Sequence, residues 1–276
     1  MTGAPVLLLD LDDTLIPDVP AARRAIADTL GSLGSLGLPA TAEAVDGVLA
    51  AVRRVWRAEP ARRHPALAQV SSWESLWVDY GTLDELPERV RERLLRHDER
   101  AWAAALHQLS ADARSAPEAS DGSHGSDAAE AAARFRHRRA ELTRPLPGVP
   151  AHLDRLAARH ELWLVTQGCR TLQRRKLALS GLAPRFARVF VSGELGYEKA
   201  DPLFAELLLS QLARTGRSVC QLVGDGTATD LLLASFGGWD ALHICTPENC
   251  RDADRTGVRH ALDLGGVTAH CDSLGH

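Results

Sequence analysis

Apolar positions along the 276 residues fall into three regimes. Near the start, Val6-Leu7-Leu8-Leu9 is an unbroken apolar run that begins after Pro5 and stops at acids. A short run without apolar/polar alternation predicts a strand of a parallel sheet covered on both faces. From about Val19 to about Leu142 the spacing becomes helical, with breaker-rich turns between segments and no strand pattern. Ile26, Leu30 and Leu33 mark one helix over Ala21 to Leu33, and Val45, Val48, Leu49, Val52, Val55 and Trp56 mark a second that begins at Thr41. A third is expected to start within Ser71 to Trp77, where serines can cap it and Trp73 and Trp77 stand one turn apart. The pattern continues from Leu86 to Leu109 through Val90, Leu94, Leu95, Trp102 and Leu106, and a last helix spans Ala128 to Leu142.

From Pro145 onward, apolar strands alternate with amphipathic helices. The strands expected are Leu162 to Val165, Val189 to Ser192, Gln221 to Val223 and Leu242 to Cys245, with helices near 150–159, 170–180, 202–214 and 229–236. With Val6 to Leu9 these predict an α/β fold, a Rossmann-like parallel sheet whose right-handed crossovers set the strands' C-terminal ends along one rim. The core domain is therefore expected over 1–17 and 145–276, interrupted by a helical domain over 18–144.

Three features of the insert refine this picture. Ser110 to Asp127 carries no large apolar side chain and predicts a disordered loop, because it cannot bury enough surface to offset its ordering entropy. Gly31, Gly34 and Gly37 follow a helix rather than a strand, so they predict a helix stop and not a phosphate loop. The basic run Arg134 to Arg139 is expected on a solvated helix face, and the four Trp of the insert (56, 73, 77 and 102) mostly in its core.

Composition narrows the function. The balance of 32 basic against 36 acidic residues gives no basic field, which argues for a small-molecule partner rather than nucleic acid or a membrane. Oligomeric state, monomer or homodimer, is left open. The five Cys, at 169, 220, 245, 250 and 271, are odd in number and form no close pair of metal-ligand type, so a reduced, cytoplasmic setting is expected. Cys245, Cys250, His260, His270 and Cys271 fit no common zinc spacing. The apolar N-terminal run is too short for a signal peptide, and no stretch reaches transmembrane length. Thirty of the basic residues are Arg; Lys stands only at 176 and 199, and a Lys that survives in such a chain has a reason to be Lys.

The candidate chemistry begins where the first strand ends. If the extended backbone continues past Leu9, Asp10 and Asp12 face one side, since side chains in a strand repeat with period two. Two carboxylates so close repel unless a cation lies between them or one takes a proton, which suits divalent metal, acid/base chemistry or both. The competing explanation is a strand that ends in a solvated acidic turn.

Asp10-Leu11-Asp12-Asp13-Thr14 resembles the first motif of the haloacid dehalogenase superfamily, Asp-x-Asp-x-Thr. Three further stretches match in the family's order. Leu162-Trp163-Leu164-Val165-Thr166, followed by Gln167 and Gly168, is similar to the second motif, an apolar strand that ends in a phosphate-binding Thr or Ser. Gln173 and Lys176-Leu177 resemble the helix after it, which accounts for one Lys without giving it chemistry. Gly196 to Pro202 resembles the third motif, with Lys199 in place and Ala200 where Pro is usual. Gly224-Asp225, with Asp230 five positions later, resembles the fourth.

The resemblance implies a phosphatase-like enzyme with a C1-type helical cap. In it Asp10 is the nucleophile and Asp12 the general acid/base, while Thr166, Gln167, Gly168 and Lys199 bind phosphate. Mg²⁺ is held by Asp10, the Asp12 carbonyl and Asp225; Asp230 either joins the metal set or orients Asp225, a water or Lys199. The expected function is hydrolysis of a small phosphorylated metabolite through an aspartyl-phosphate. The alternatives are a phosphomutase or phosphotransferase with the same motifs, and a non-catalytic receiver-like or scaffold protein.

Overall fold

The computed structural model describes residues 4–34, 38–113, 125–245 and 258–274. The chain forms two compact units, Met1–Pro17 with Arg144–His276, and Asp18–Thr143.

The first unit is built on a six-stranded sheet in the order β3-β2-β1-β4-β5-β6, parallel throughout. Its strands are β1 Val6–Leu9, β2 Glu161–Thr166, β3 Arg188–Val191, β4 Val219–Gly224, β5 Ala241–Ile244 and β6 Arg259–Ala261. β1 is central and buried along its whole length, which explains its lack of polar alternation. Leu7 and Leu9 pack on one face with Leu162, Leu164, Leu153 and Val267. Val6 and Leu8 pack on the other with Trp163, Val165, Phe204 and Leu208. The period of two thus distributes a single apolar run over two cores.

β6 was not legible in the sequence. It is a three-residue edge strand with two exposed positions, Arg259 and His260, and so carries no apolar run.

The second unit is helical. It contains α1 Val19–Ser32, α2 Ala42–Ala58, α3 Glu88–Leu94, α4 His97–Ala113 and α5 Gly125–Leu142, with 3₁₀ turns between α2 and α3. Thr41 caps α2 by accepting from the Ala44 N–H. The helix expected from Ser71 to Trp77 is instead turns around a single 3₁₀ segment, Glu74–Leu76. Its serines bond locally: Ser71 Oγ accepts from the Glu74 N–H at 3.3 Å, and Ser75 Oγ donates to the Ser72 carbonyl at 2.6 Å. Such bonds compete with helix propagation. Trp56, Trp77 and Trp102 are buried. The tract from 110 to 127 is helical at both ends, through Ala113 and from Gly125, and 114–124 lie outside the described residues.

The basic run on α5 is not wholly solvated. Arg139 follows Phe135 by one turn, and both are fully buried. Its guanidinium lies 4.6 Å over the Trp77 ring, donates to Thr143 Oγ1 at 2.9 Å and pairs with Asp18, a combination that offsets its desolvation.

Candidate active site

Parallel strands bring Asp10, Thr166 and Asp225 to the same rim, each just past or at the end of its strand. After Asp10 the chain turns sharply. Asp13 adopts a left-handed conformation (φ 53°) that Asp tolerates, and its N–H donates to the Ile16 carbonyl at 2.7 Å. The turn returns Leu15 and Ile16 to the core and leaves the carboxylates at the rim.

The centre of the site is Lys199, 2% exposed. Its ammonium donates to Asp10 Oδ1 and to Asp230 Oδ1, each at 2.6 Å, and to the Val165 carbonyl at 3.4 Å. Burial works against the charge, but the two carboxylates outweigh it and hold the ammonium above the usual lysine range. The Lys199 N–H donates to Gln167 Oε1 at 3.1 Å, tying the segment that carries this lysine to the loop after β2.

Asp230 is brought in by a π-helical turn, Thr227–Leu231, a rare geometry that often marks functional sites. Its Oδ2 accepts from the Gly226 N–H at 3.1 Å. Two glycines make room: a Cβ on Gly224 would lie 2.3 Å from Asp230 Cγ, and one on Gly226 would lie 2.0 Å from Thr229 Oγ1.

Carboxylate oxygens of Asp10, Asp225 and Asp230 all lie within 4.8 Å of one another. Burial pushes the Asp10 carboxyl well above the usual range; Lys199 pulls it down, and Asp230, Asp225 and Asp12 push it up again. Burial, then Asp230, raises Asp225 to about 7. Burial thus disfavours the charged forms of Asp10 and Asp225, and an all-oxygen cluster of this kind suits a hard divalent cation, whose charge would stabilise both carboxylates.

Asp12 is held separately. Its Oδ2 accepts from Gln173 Nε2 and from Lys176 Nζ, both at 2.8 Å. The helix Arg170–Ser180 presents Gln173 and Lys176 one turn apart, and both are buried. Lys176, given no chemistry from the sequence, is therefore an ion-pair partner of Asp12. The signal was the scarcity of lysine: both lysines of the chain lie buried against acids of this site.

Thr166 Oγ1 accepts from Gln173 Nε2 at 2.8 Å, which leaves its own proton to donate. The Gly168 N–H is engaged by Ser192 Oγ at 2.9 Å. Ser192, fully buried, is a further residue that the sequence did not single out; it fixes the loop that carries Gln167 and Gly168. Of the cysteine and histidine candidates, the fold brings Cys245 to His260 and adds His243. His270 contacts Arg259 instead, Cys271 packs in the core, and Cys250 lies outside the described residues.

Comparison with known proteins identifies the family. A profile of haloacid dehalogenase-like hydrolases matches residues 5–237. A phosphoserine phosphatase of Thermus thermophilus is 32% identical over 243 residues, 87% of this chain and 88% of that protein. A pyrimidine 5'-nucleotidase of Streptococcus pneumoniae is 32% identical over 112 residues, covering 40% of this chain and 47% of that one. The crystal structure of the HAD-hydrolase YfnB from Bacillus subtilis superposes with a TM-score of 0.55 at 18% identity and covers 96% of each chain, a likeness of fold.

Proposed function

The chain belongs to the haloacid dehalogenase-like hydrolases and is a hydrolase of phosphoric ester bonds, and on that premise we propose that it cleaves small phosphomonoesters with Mg²⁺ through a phosphoryl group carried on Asp10. The observation that carries this proposal is the separation of the acids by the two lysines: Lys199 serves Asp10 and Asp230, and Lys176 serves Asp12.

Asp10 attacks phosphorus in line, forming the acyl-phosphate as the bond to the ester oxygen breaks. Asp12 gives its proton to that leaving oxygen, then takes one from the water that attacks the phosphoryl group, which releases phosphate and restores the Asp10 carboxylate. Gln173 and Lys176 aim Asp12 at this proton traffic by fixing one of its oxygens. Lys199 and the Thr166 hydroxyl bind phosphoryl oxygens, and Asp230 positions Lys199. Asp10, the Asp12 carbonyl and Asp225 would hold Mg²⁺, which when bound would supply the positive charge that lets a carboxylate approach a phosphate. Asp230 has one oxygen on Lys199 and the other on the Gly226 N–H, so we assign it to positioning rather than to the metal. The helical unit, Asp18–Thr143, is assigned the role of a cap that selects the substrate.

A screen of phosphorylated metabolites with Mg²⁺, reading released phosphate, tests the proposal. Phosphoserine and pyrimidine 5'-nucleotides head the panel, since they are the substrate classes named for the relatives. Release from at least one small monoester, abolished by chelation, is the expected result; metal-independent release would overturn the mechanism.

A further inference from the structure

On the far side of the sheet from β3, β5 and β6 run parallel with His243 and His260 as register partners. Cys245 comes two residues after His243 and so emerges on the same face. Cys245 Sγ lies 3.1 Å from His260 Nδ1 and 3.8 Å from His243 Nδ1, and the three residues each offer a ligand atom within 4.8 Å of the others. We propose that His243, Cys245 and His260 form a second metal site, selective for Zn²⁺ or a similarly thiophilic ion and chemically distinct from the all-carboxylate centre.

The geometry fits without rearrangement of the backbone. A tetrahedral zinc with Zn–S of about 2.3 Å and Zn–N of about 2.0–2.1 Å sets sulfur and nitrogen roughly 3.5 Å apart, and the two observed separations, 3.1 and 3.8 Å, bracket that figure. The tautomer is also fixed. His243 Nε2 lies 2.8 Å from the main-chain carbonyl of Asp225, which can only accept, so Nε2 carries the proton and Nδ1 presents its lone pair towards Cys245. An imidazole that binds metal through one nitrogen and donates the other N–H to a carbonyl is the usual way such ligands are oriented. His243 is buried, Cys245 half-buried and His260 exposed, so an ion can enter from solvent and keep a water as fourth ligand.

Thiolate and imidazole favour zinc over magnesium, and carboxylates the reverse. The bond from His243 to the Asp225 carbonyl places the two sites in contact through the backbone, so an ion on His243 would strengthen the hold on Asp225.

Cobalt(II) reports the site directly. Metal-stripped, reduced full-length protein is titrated with Co²⁺ in excess Mg²⁺, which occupies the carboxylates. We expect one Co²⁺ per chain, with a thiolate-to-cobalt charge-transfer band and the intense visible bands of four-coordinate cobalt, all displaced by Zn²⁺. Cys245→Ser should abolish the charge-transfer band, and His260→Ala, at an exposed position, should weaken Co²⁺ binding at least tenfold with the thermal midpoint unchanged. Absence of the charge-transfer band in the parent, or its survival in folded Cys245→Ser, would overturn the proposal.

Discussion

The buried ammonium of Lys176 lies 2.8 Å from Oδ2 of Asp12, and this pair fixes the acid that the proposed mechanism uses for proton transfer. Lys176→Met removes the charge and leaves an apolar chain of similar length. We expect turnover to fall by about 10- to 100-fold, less than the roughly 10²- to 10⁴-fold that a positioned general acid/base contributes, since Asp12 itself remains, with KM changed far less. The pH profile adds a readout that a structural role would not move: without the cation, Asp12 holds its proton to higher pH, and the limb that reports it shifts upward. An unshifted profile with normal turnover would show that Lys176 only packs.

Gly224 is required by Asp230. Because a Cβ would lie 2.3 Å from Asp230 Cγ, Gly224→Ala is expected to destabilise the fold by about 1–3 kcal/mol, the usual cost of overpacking. It should also lower turnover at least tenfold by displacing the partner of Lys199. In an Asp230→Gly background the same substitution should cost much less stability, because every side-chain atom it strikes is gone. Equal costs in both backgrounds, measured by denaturant unfolding, would place the strain elsewhere.

Much of this site was legible because strand ends and acids coincide in the sequence. Val6 to Leu9 reads as a strand covered on both faces, since it has no polar alternation, and in a parallel sheet the acids that follow it and Val223 reach a common rim. What escaped the pattern escaped for physical reasons. The pairing of Lys176 with Asp12 crosses 164 residues, and nothing local distinguishes an inward lysine on a helix from a solvated one. Arg139 was hidden in a run of basic residues, and only the one-turn spacing from Phe135 hinted at burial. The third helix failed because the serines that could cap it also satisfy turns.

Magnesium binding should depend steeply on pH near neutrality. In the metal-free protein Asp225 titrates at about 7, against a model-compound value of 3.8, so between those values the folded chain binds more protons than the unfolded one. Its contribution to stability is therefore favourable at the acid end of this window and declines as pH rises through it. A cation must displace the proton, so the rise in thermal midpoint caused by Mg²⁺ should grow from about pH 6 to about pH 8. Asp225→Asn should flatten both trends; a pH-independent Mg²⁺ effect would contradict the crowding of these acids.

The helical unit carries its own acid lability. Burial lowers His97 to about 4, with Arg100 adding to the effect, and its ring packs edge-on to Trp56 and Tyr80. Since an unfolded histidine titrates at 6.5, the unfolded chain binds the extra proton between these values, and stability is lost as pH falls through that window. The loss should approach about 3 kcal/mol at its acid end. His97→Gln, measured by denaturant unfolding, should be less stable than the parent at pH 8 and lose less on acidification. An unchanged slope would remove His97 from the explanation.

The central claim is that Asp10 carries the phosphoryl group, and borohydride trapping during turnover tests it most directly. An acyl-phosphate on a side-chain carboxyl is reduced to the alcohol, so peptide mass spectrometry should find Asp10 converted to homoserine only when substrate and Mg²⁺ are both present. Conversion should rise in Asp12→Asn if that variant still forms the intermediate but cannot activate water. Steady release of phosphate with Asp10 unmodified, or with the reduced residue at Asp12, Asp225 or Asp230 instead, would contradict the assignment.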